Sequence, residues 1–294
     1  MTSPSLFRDR ILPILTVVFA ILVIWHIFVV YLNAPFVRDQ AARANETISF
    51  SQLVERTFAQ DRPVLPAPHQ IAIELWDTTV NKAITSKRSL VYHAGVTLSA
   101  TLLGFLIGTA LGILLAVSIV HNRAIDRSLM PWVIASQTIP IIAIAPMVIV
   151  VLNAIGISGI LPKALISTYL SFFPIVVGMV KGLRSPDTLL LDLMHTYNAS
   201  PSQTFWKLRW PASMPYLFTS LKVAIAISLL GAIVAELPTG AIAGLGARLL
   251  SGSYYGQTIQ IWAALFMAAG LAAVLVSLVG FAHTRVLKRM GAKP

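Results

Sequence analysis

Two windows of this chain, Ser89–Val120 and Ser128–Pro162, contain no Asp, Glu, Lys or Arg. Each is longer than the ~20 predominantly apolar residues that carry a helix across a bilayer. Length alone would allow one or two soluble domains, but the composition rules that out. Hydrophobic residues make up 56% of the 294 residues and charged residues only 11%, less than half the usual share of a globular protein. The pattern predicts an all-α polytopic membrane protein.

Six spans fit: about 11–32, 92–120, 130–152, 161–182, 213–237 and 258–284. The first run, Ile11–Leu32, follows Arg8 and Arg10, is long for a signal-peptide core, and has no clear small-x-small cleavage site after it. It reads as a retained signal anchor. With the N-terminus inside, the short cytoplasmic stretches carry Arg8, Arg10, Arg123, Arg127, Lys181, Arg184, Lys207, Arg209, Arg285, Lys288, Arg289 and Lys293. The short outer loops carry only Lys163 and Arg248. Lys and Arg concentrate on the cytoplasmic side of short loops, whereas long translocated segments have little influence on orientation. Both termini are therefore expected in the cytoplasm of a bacterial-type inner membrane. The net charge of +11 is that of orienting loops, not of a nucleic-acid surface. The absence of cysteine excludes disulfides and thiolate metal sites.

The expected regions are 1–32 (cytoplasmic end and first span), 33–91 (extracytoplasmic segment), 92–284 (five-span core with a cytoplasmic loop at 183–212) and 285–294 (cytoplasmic tail). In the extracytoplasmic segment a short helix is expected around 49–59, followed by breaks at Pro63, Pro66 and Pro68. Beyond them, Ile71, Leu75 and Trp76 suggest an amphipathic helix on the membrane surface. A simple spacer is the alternative.

The loop contains DLMHTYNASPSQTFWKLRWP, Asp192–Pro211, a polar island between two membrane-length runs. Ser185-Pro186 and Ser200-Pro201 are helix-start signals: Ser caps a helix N-terminus and Pro is pre-set for the first helical position. Asn198 between them ends the first helix if it adopts the left-handed conformation. A capped helix–turn–helix at a membrane face is a docking surface for a cytoplasmic partner. This stretch resembles the signature loop of ABC-importer permeases, E-A-A-x3-G-x9-I-x-L-P. Asp192 stands at the acid, Leu193 and Met194 at the small pair, Asn198 at the glycine, Leu208 at the Ile, and Trp210-Pro211 at the L-P pair. The spacing agrees throughout. The residue types depart from the pattern at the acid, the small pair and the glycine.

Further pieces, in order, are similar to the nitrate/sulfonate/taurine subgroup of these permeases. They are LPAP (65–68), HAGVTLSATLLGFLIGTALG (93–112), TIPIIAIAPMVIV (138–150), IGISG (155–159), FFPIVVGMVKGLR (172–184) and LKVAIAISLLGAIVAE (221–236). The resemblance implies a type I importer core of five spans plus one N-terminal span, with Asp192, Leu193, Met194, Asn198, Ala199, Ser200, Leu208 and Pro211 seating in an ATPase groove. It implies two ABC ATPase subunits that carry ATP and Mg, a second permease copy, and an extracytoplasmic solute-binding protein. The chain itself would bind no cofactor. The solutes implied are small and polar: sulfonates, taurine, nitrate, bicarbonate, or pyrimidine precursors of thiamine.

Inside the spans, Pro131, Pro140 and Pro146 each remove a backbone hydrogen bond, and they predict a bent third span. Unsatisfied backbone at membrane depth is tolerated where it is buried or lines a cavity. Ser136, Gln137 and Thr138 beside the bend are therefore candidates to face a polar solute. Glu236, at the outer end of the fifth span, either sits at the mouth of that pathway or bonds to neighbouring backbone. Lys222 reads as an interfacial anchor with a snorkelling stem. Ala100, Gly104, Gly108, Gly112 and Ala116 form a small-residue stripe that lets helices approach closely, within the subunit or between subunits. His26 and His93 have no partner at metal-ligand spacing.

No G-x-x-x-x-G-K-[ST] occurs, so the chain has no phosphate loop of its own. G-x-S-x-G and H-E-x-x-H are absent too, as is a carboxylate pair within the spans, so an intramembrane enzyme is not supported. An ion-coupled secondary transporter would be expected to carry midplane carboxylates and an internal repeat. Neither is evident.

Overall fold

A computed structural model describes residues 11–237 and 241–291. The sequence expectations for Arg8, Arg10 and Lys293 fall outside the described residues. Twelve α-helices are present among those residues: α1 Leu12–Arg43, α2 Phe50–Phe58, α3 Pro68–Trp76, α4 Leu90–His121, α5 Arg123–Ser136, α6 Ile141–Ala154, α7 Ile160–Leu183, α8 Thr188–Thr196, α9 Pro201–Thr204, α10 Trp210–Glu236, α11 Leu245–Tyr254 and α12 Thr258–Arg289. Five helices are long and apolar enough to cross a membrane: α1, α4, α7, the continuous Pro201–Glu236 helix and α12.

The third expected span is not one straight helix. It is the pair α5 and α6, bent by 99° at the break between them. Of the three prolines, only Pro140 coincides with the break, where it is the residue before α6. Proline lacks an N–H and disfavours helix at the residue before it, so α5 stops and the chain restarts at Ile141. Pro131 and Pro146 stay inside their helices. Among the described residues the candidate spans number five, or six if the bent pair is taken as one.

The chain divides into two compact units. The first comprises 11–90 with 248–266 among the described residues. There α1 continues through Pro35 to Arg43 and ends at Asn45, whose φ of 53° closes the helix. Ser49 and Gln52 form a capping box for α2. Asn33 is buried and fastens the proline-rich segment: its Oδ1 accepts from Val64 N–H at 2.7 Å, and its Nδ2 donates to Leu65 O at 2.9 Å. The Trp25 indole donates to Pro66 O at 3.0 Å and packs on Trp262, ring centroids 4.9 Å apart.

The second unit comprises 91–247 with 267–291. Its centre is the packing of α7 against α10, with α4 alongside. Without a hydrophobic drive between helices in lipid, close packing needs small residues and interhelical hydrogen bonds. Gly104, Gly108 and Gly112 of α4 face Ser167, Ser171 and Ile175 of α7 so closely that an added Cβ would lie within 2.8 Å of each. Ser167 donates to Ser228 O at 2.9 Å, Ser228 to Thr101 O at 2.9 Å, and Thr168 to Gly104 O at 3.1 Å. The small-residue stripe therefore packs within the chain.

Candidate functional site

The polar loop at 183–212 is a fixed helical element. α8 is capped by Asp187, whose carboxylate accepts from Leu189 N–H, and not by Ser185, whose hydroxyl donates instead to Gly182 O. An ionised carboxylate is favoured at the positive end of the helix dipole. Asn198 sits at φ 50°. The Ala199 N–H reaches Met194 O and the Asn198 N–H reaches His195 O, both at 2.9 Å, a Schellman closure of α8. Ser200 and Gln203 then form a capping box for α9 at 3.2 and 2.9 Å.

α9 does not end before α10. A widened turn at Phe205–Arg209, closed by Trp210 N–H to Phe205 O, carries it into α10 as one helix from Pro201 to Glu236. The wide turn directly precedes Pro211, whose missing N–H would break a regular α ladder.

Three contacts anchor the loop to the bundle. The Arg209 guanidinium donates to Leu183 O at 3.1 Å, Arg184 pairs with Asp126 at 2.8 Å, and Phe205 packs edge-on against His121 at 5.0 Å. A cavity of about 380 Å³ lies behind, lined by His121, Leu191, His195, Thr204 and Arg209 among others. Asp192, Leu193, Asn198 and Ser200 are exposed, while Met194, Ala199, Leu208 and Pro211 are half-buried. The outward face is apolar: Leu189, Leu190, Leu193, Tyr197 and Trp206 are all exposed. No residue of α8 is buried. Exposed leucines grouped on a short, well-capped helix mark an interaction surface.

At the far end of α10, Glu236 is fully buried. Its carboxylate accepts from Lys163 Nζ at 3.1 Å, Thr97 Oγ1 at 2.9 Å and Gly246 N–H at 3.0 Å. Lys163 also donates to Ala243 O at 3.1 Å, Thr97 Oγ1 accepts from Leu245 N–H at 2.8 Å, and His93 Nδ1 accepts from Gly244 N–H at 2.9 Å. Side chains from two other helices, α4 and α10, thus satisfy the orphan N–H groups at the start of α11, and Lys163 of α7 binds the preceding Ala243 carbonyl. Beside this network lies a cavity of about 500 Å³, lined by Ser99, Asn153, Ser158 and Lys163 among others. Lys163 is in its wall, but Glu236 is not.

Ser136, Gln137 and Thr138 flank the α5–α6 break. Gln137 and Thr138 are exposed, and Ser136 O accepts from the Tyr169 hydroxyl. They line neither cavity, so the break residues and Glu236 belong to separate places. Lys222 lies against α12, its Nζ 3.9 Å from where a Cβ on Gly280 would be. In the sequence Lys163 was legible only as one of two basic residues of the short outer loops, and His93 and Thr97 only as members of the 93–112 stretch, with no role toward Glu236 assigned to any of them.

Residues 108–292 match the family described as binding-protein-dependent transport system inner membrane components. The chain is 31% identical to the formylaminopyrimidine transport permease ThiX of Halalkalibacterium halodurans, over 77% of this chain and 84% of that protein. It is 26% identical to the nitrate import permease NrtB of Leptolyngbya laminosa, over 75% and 78%. Its fold is similar to a chain of the inward-facing MetNI methionine ABC transporter, with a TM-score of 0.57 at 20% identity, covering 68% of this chain and 95% of that one.

Proposed function

Because the chain belongs to the family of binding-protein-dependent transport system inner membrane components, and is thus a multi-pass permease subunit of an ABC importer, we propose that its 183–212 loop is the site where ATPase closure is converted into movement of the spans. The observation that carries this reading is the exposed apolar face of a rigidly capped α8–α9 pair, with Leu189, Leu193 and Tyr197 turned outward. Asp192, Leu193, Met194, Asn198, Ala199 and Ser200 form the proposed contact. Leu208 and Pro211 join it to α10. The anchors Arg209–Leu183 and Arg184–Asp126 transmit a push on α8 into α7 and the α4–α5 corner.

ATP and Mg act on partner ATPase subunits, and this chain does no covalent chemistry. A second copy of the permease, ATPase subunits and an extracytoplasmic binding protein complete the assembly. The termini and the 183–212 loop face the cytoplasm, a reading supported by the Lys/Arg distribution. The exposed polar residues at the α5–α6 break, Gln137 and Thr138 with Ser136, line the solute pathway. Glu236 shapes its outer end by holding the start of α11. The cargo is a small polar solute of the kind named for the nitrate and formylaminopyrimidine permeases to which the chain is similar.

Affinity purification of the tagged chain tests the coupling role. The wild type is expected to bring down an ATPase subunit. Asn198→Val puts a β-branched residue at positive φ, a strain of about 1–2 kcal/mol on the α8 closure, and is expected to lower ATPase recovery several-fold at normal membrane insertion. Asn198→Gly, which adopts that φ freely, is expected to retain it. Equal recovery with all three chains contradicts the assignment.

A further inference from the structure

In the extracytoplasmic segment, α3 and the π-turn that continues it through Asn81 have their polarity reversed. Ile71 and Thr78 are buried, at 3% and 4% exposure. The charged Glu74 is half-buried beside Arg248, its carboxyl raised above the usual range by burial, against which Arg248 pulls in the opposite direction. The opposite face carries His69, Ala72, Ile73, Trp76 and Val80, all exposed and none bearing a formal charge, and Ile84 follows in the next turn. Ile73, Trp76, Val80 and Ile84 are 66%, 64%, 57% and 67% exposed. Ile73, Trp76 and Val80 are spaced by three and four residues, one face of a helix. A helix surrounded by water would show the opposite arrangement, with its charges outward.

Chain length limits where this face can be. Ile84 is six residues from Leu90, the first residue of a membrane-length helix, so at most ~20 Å of extended chain separates them. We propose that the Ile73–Trp76–Val80–Ile84 face lies in the outer leaflet of the bilayer at the level of the headgroup–acyl boundary. Tryptophan at its centre suits that zone, where its ring is apolar and its N–H stays wet. Asp77 and Lys82, paired at 3.1 Å on the flank, remain in the headgroup layer. The residues differ from those a helical reading of the sequence selects: Ile71 faces the protein, and Ile73 and Val80 face lipid.

The chain has no cysteine, so single cysteines at Ile73, Val80 and the exposed α2 position Ser51 can each take a nitroxide label without background. The full chain is reconstituted in phosphatidylethanolamine–phosphatidylglycerol vesicles, and collision of each label with oxygen and with a water-soluble nickel chelate is measured. Ile73→Cys and Val80→Cys are expected to show an oxygen-to-nickel collision ratio several-fold above that of Ser51→Cys. A ratio equal to that at Ser51 places the face in water and overturns the proposal. Low collision with both reagents means a protein surface covers it, such as a second copy of the chain, and overturns it equally. Tryptophan fluorescence in the unlabelled chain gives an independent reading. Brominated lipid is expected to quench a component that Trp76→Phe removes, and quenching unchanged by Trp76→Phe counts against insertion. Neither measurement depends on the ATPase or on transport.

Discussion

Glu236 and Lys163 hold each other in a place where neither charge reaches bulk water freely, with Glu236 side-chain exposure at 0% and Lys163 at 15%. Breaking a buried pair by removing one partner is costly because the remaining charge loses its compensation, typically by ~3–5 kcal/mol. Lys163→Met is therefore expected to lower the thermal unfolding midpoint of the purified chain sharply. Adding Glu236→Gln should recover most of the loss, because a neutral amide still accepts from Gly246 N–H and Thr97 without needing a counter-charge. If the double variant is no better than Lys163→Met alone, the pair is not the source of the stabilisation. Asn198 shows what single residues disclose in advance: its left-handed φ was legible because Asn tolerates that region between two helical runs. Asp187 as the α8 cap was not legible, since Ser185-Pro186 is an equally good local signal and the choice between them depends on where α7 ends.

At the scale of elements, α4 is fixed by glycines that have different neighbours along one helix. A Cβ on Gly104 would meet Ser167 Cβ at 2.3 Å and the Ala164 backbone oxygen at 2.7 Å, whereas one on Gly95 meets nothing within 4 Å. Gly104→Ala is expected to destabilise the α4–α7 contact, because the obstacle is backbone and cannot rotate away. Gly95→Ala in the same helix is expected to be neutral or stabilising by up to ~1 kcal/mol from helix propensity. Thermal unfolding of the two single variants in one detergent checks this. Similar losses in both contradict the packing assignment. The long apolar runs made α1, α4, α7, α10 and α12 readable from sequence, because length and lack of charge decide a span before packing does. The 99° bend between α5 and α6 was only half readable. Three prolines announce a distortion, but helix tolerates Pro131 and Pro146, and only the surroundings of Pro140 decide which one breaks it. Nothing in the sequence indicated that α9 runs unbroken into α10, since Pro211 argues locally for a restart and the widened turn before it has no sequence signature.

For the whole molecule, the proposed topology puts one end of the bundle, with the ATPase-docking face, in the cytoplasm and α2 and α3 outside. A photo-reactive amino acid placed at Leu193, exposed on α8, and at Glu55, exposed on α2, tests both parts in intact cells that express the full importer. After irradiation, the Leu193 position is expected to yield a cross-linked product containing the nucleotide-binding subunit, and the Glu55 position none. Cross-linking of the ATPase from Glu55, or its absence from Leu193 when the same ATPase co-purifies with the unmodified chain, would contradict both the orientation and the docking role of the 183–212 loop.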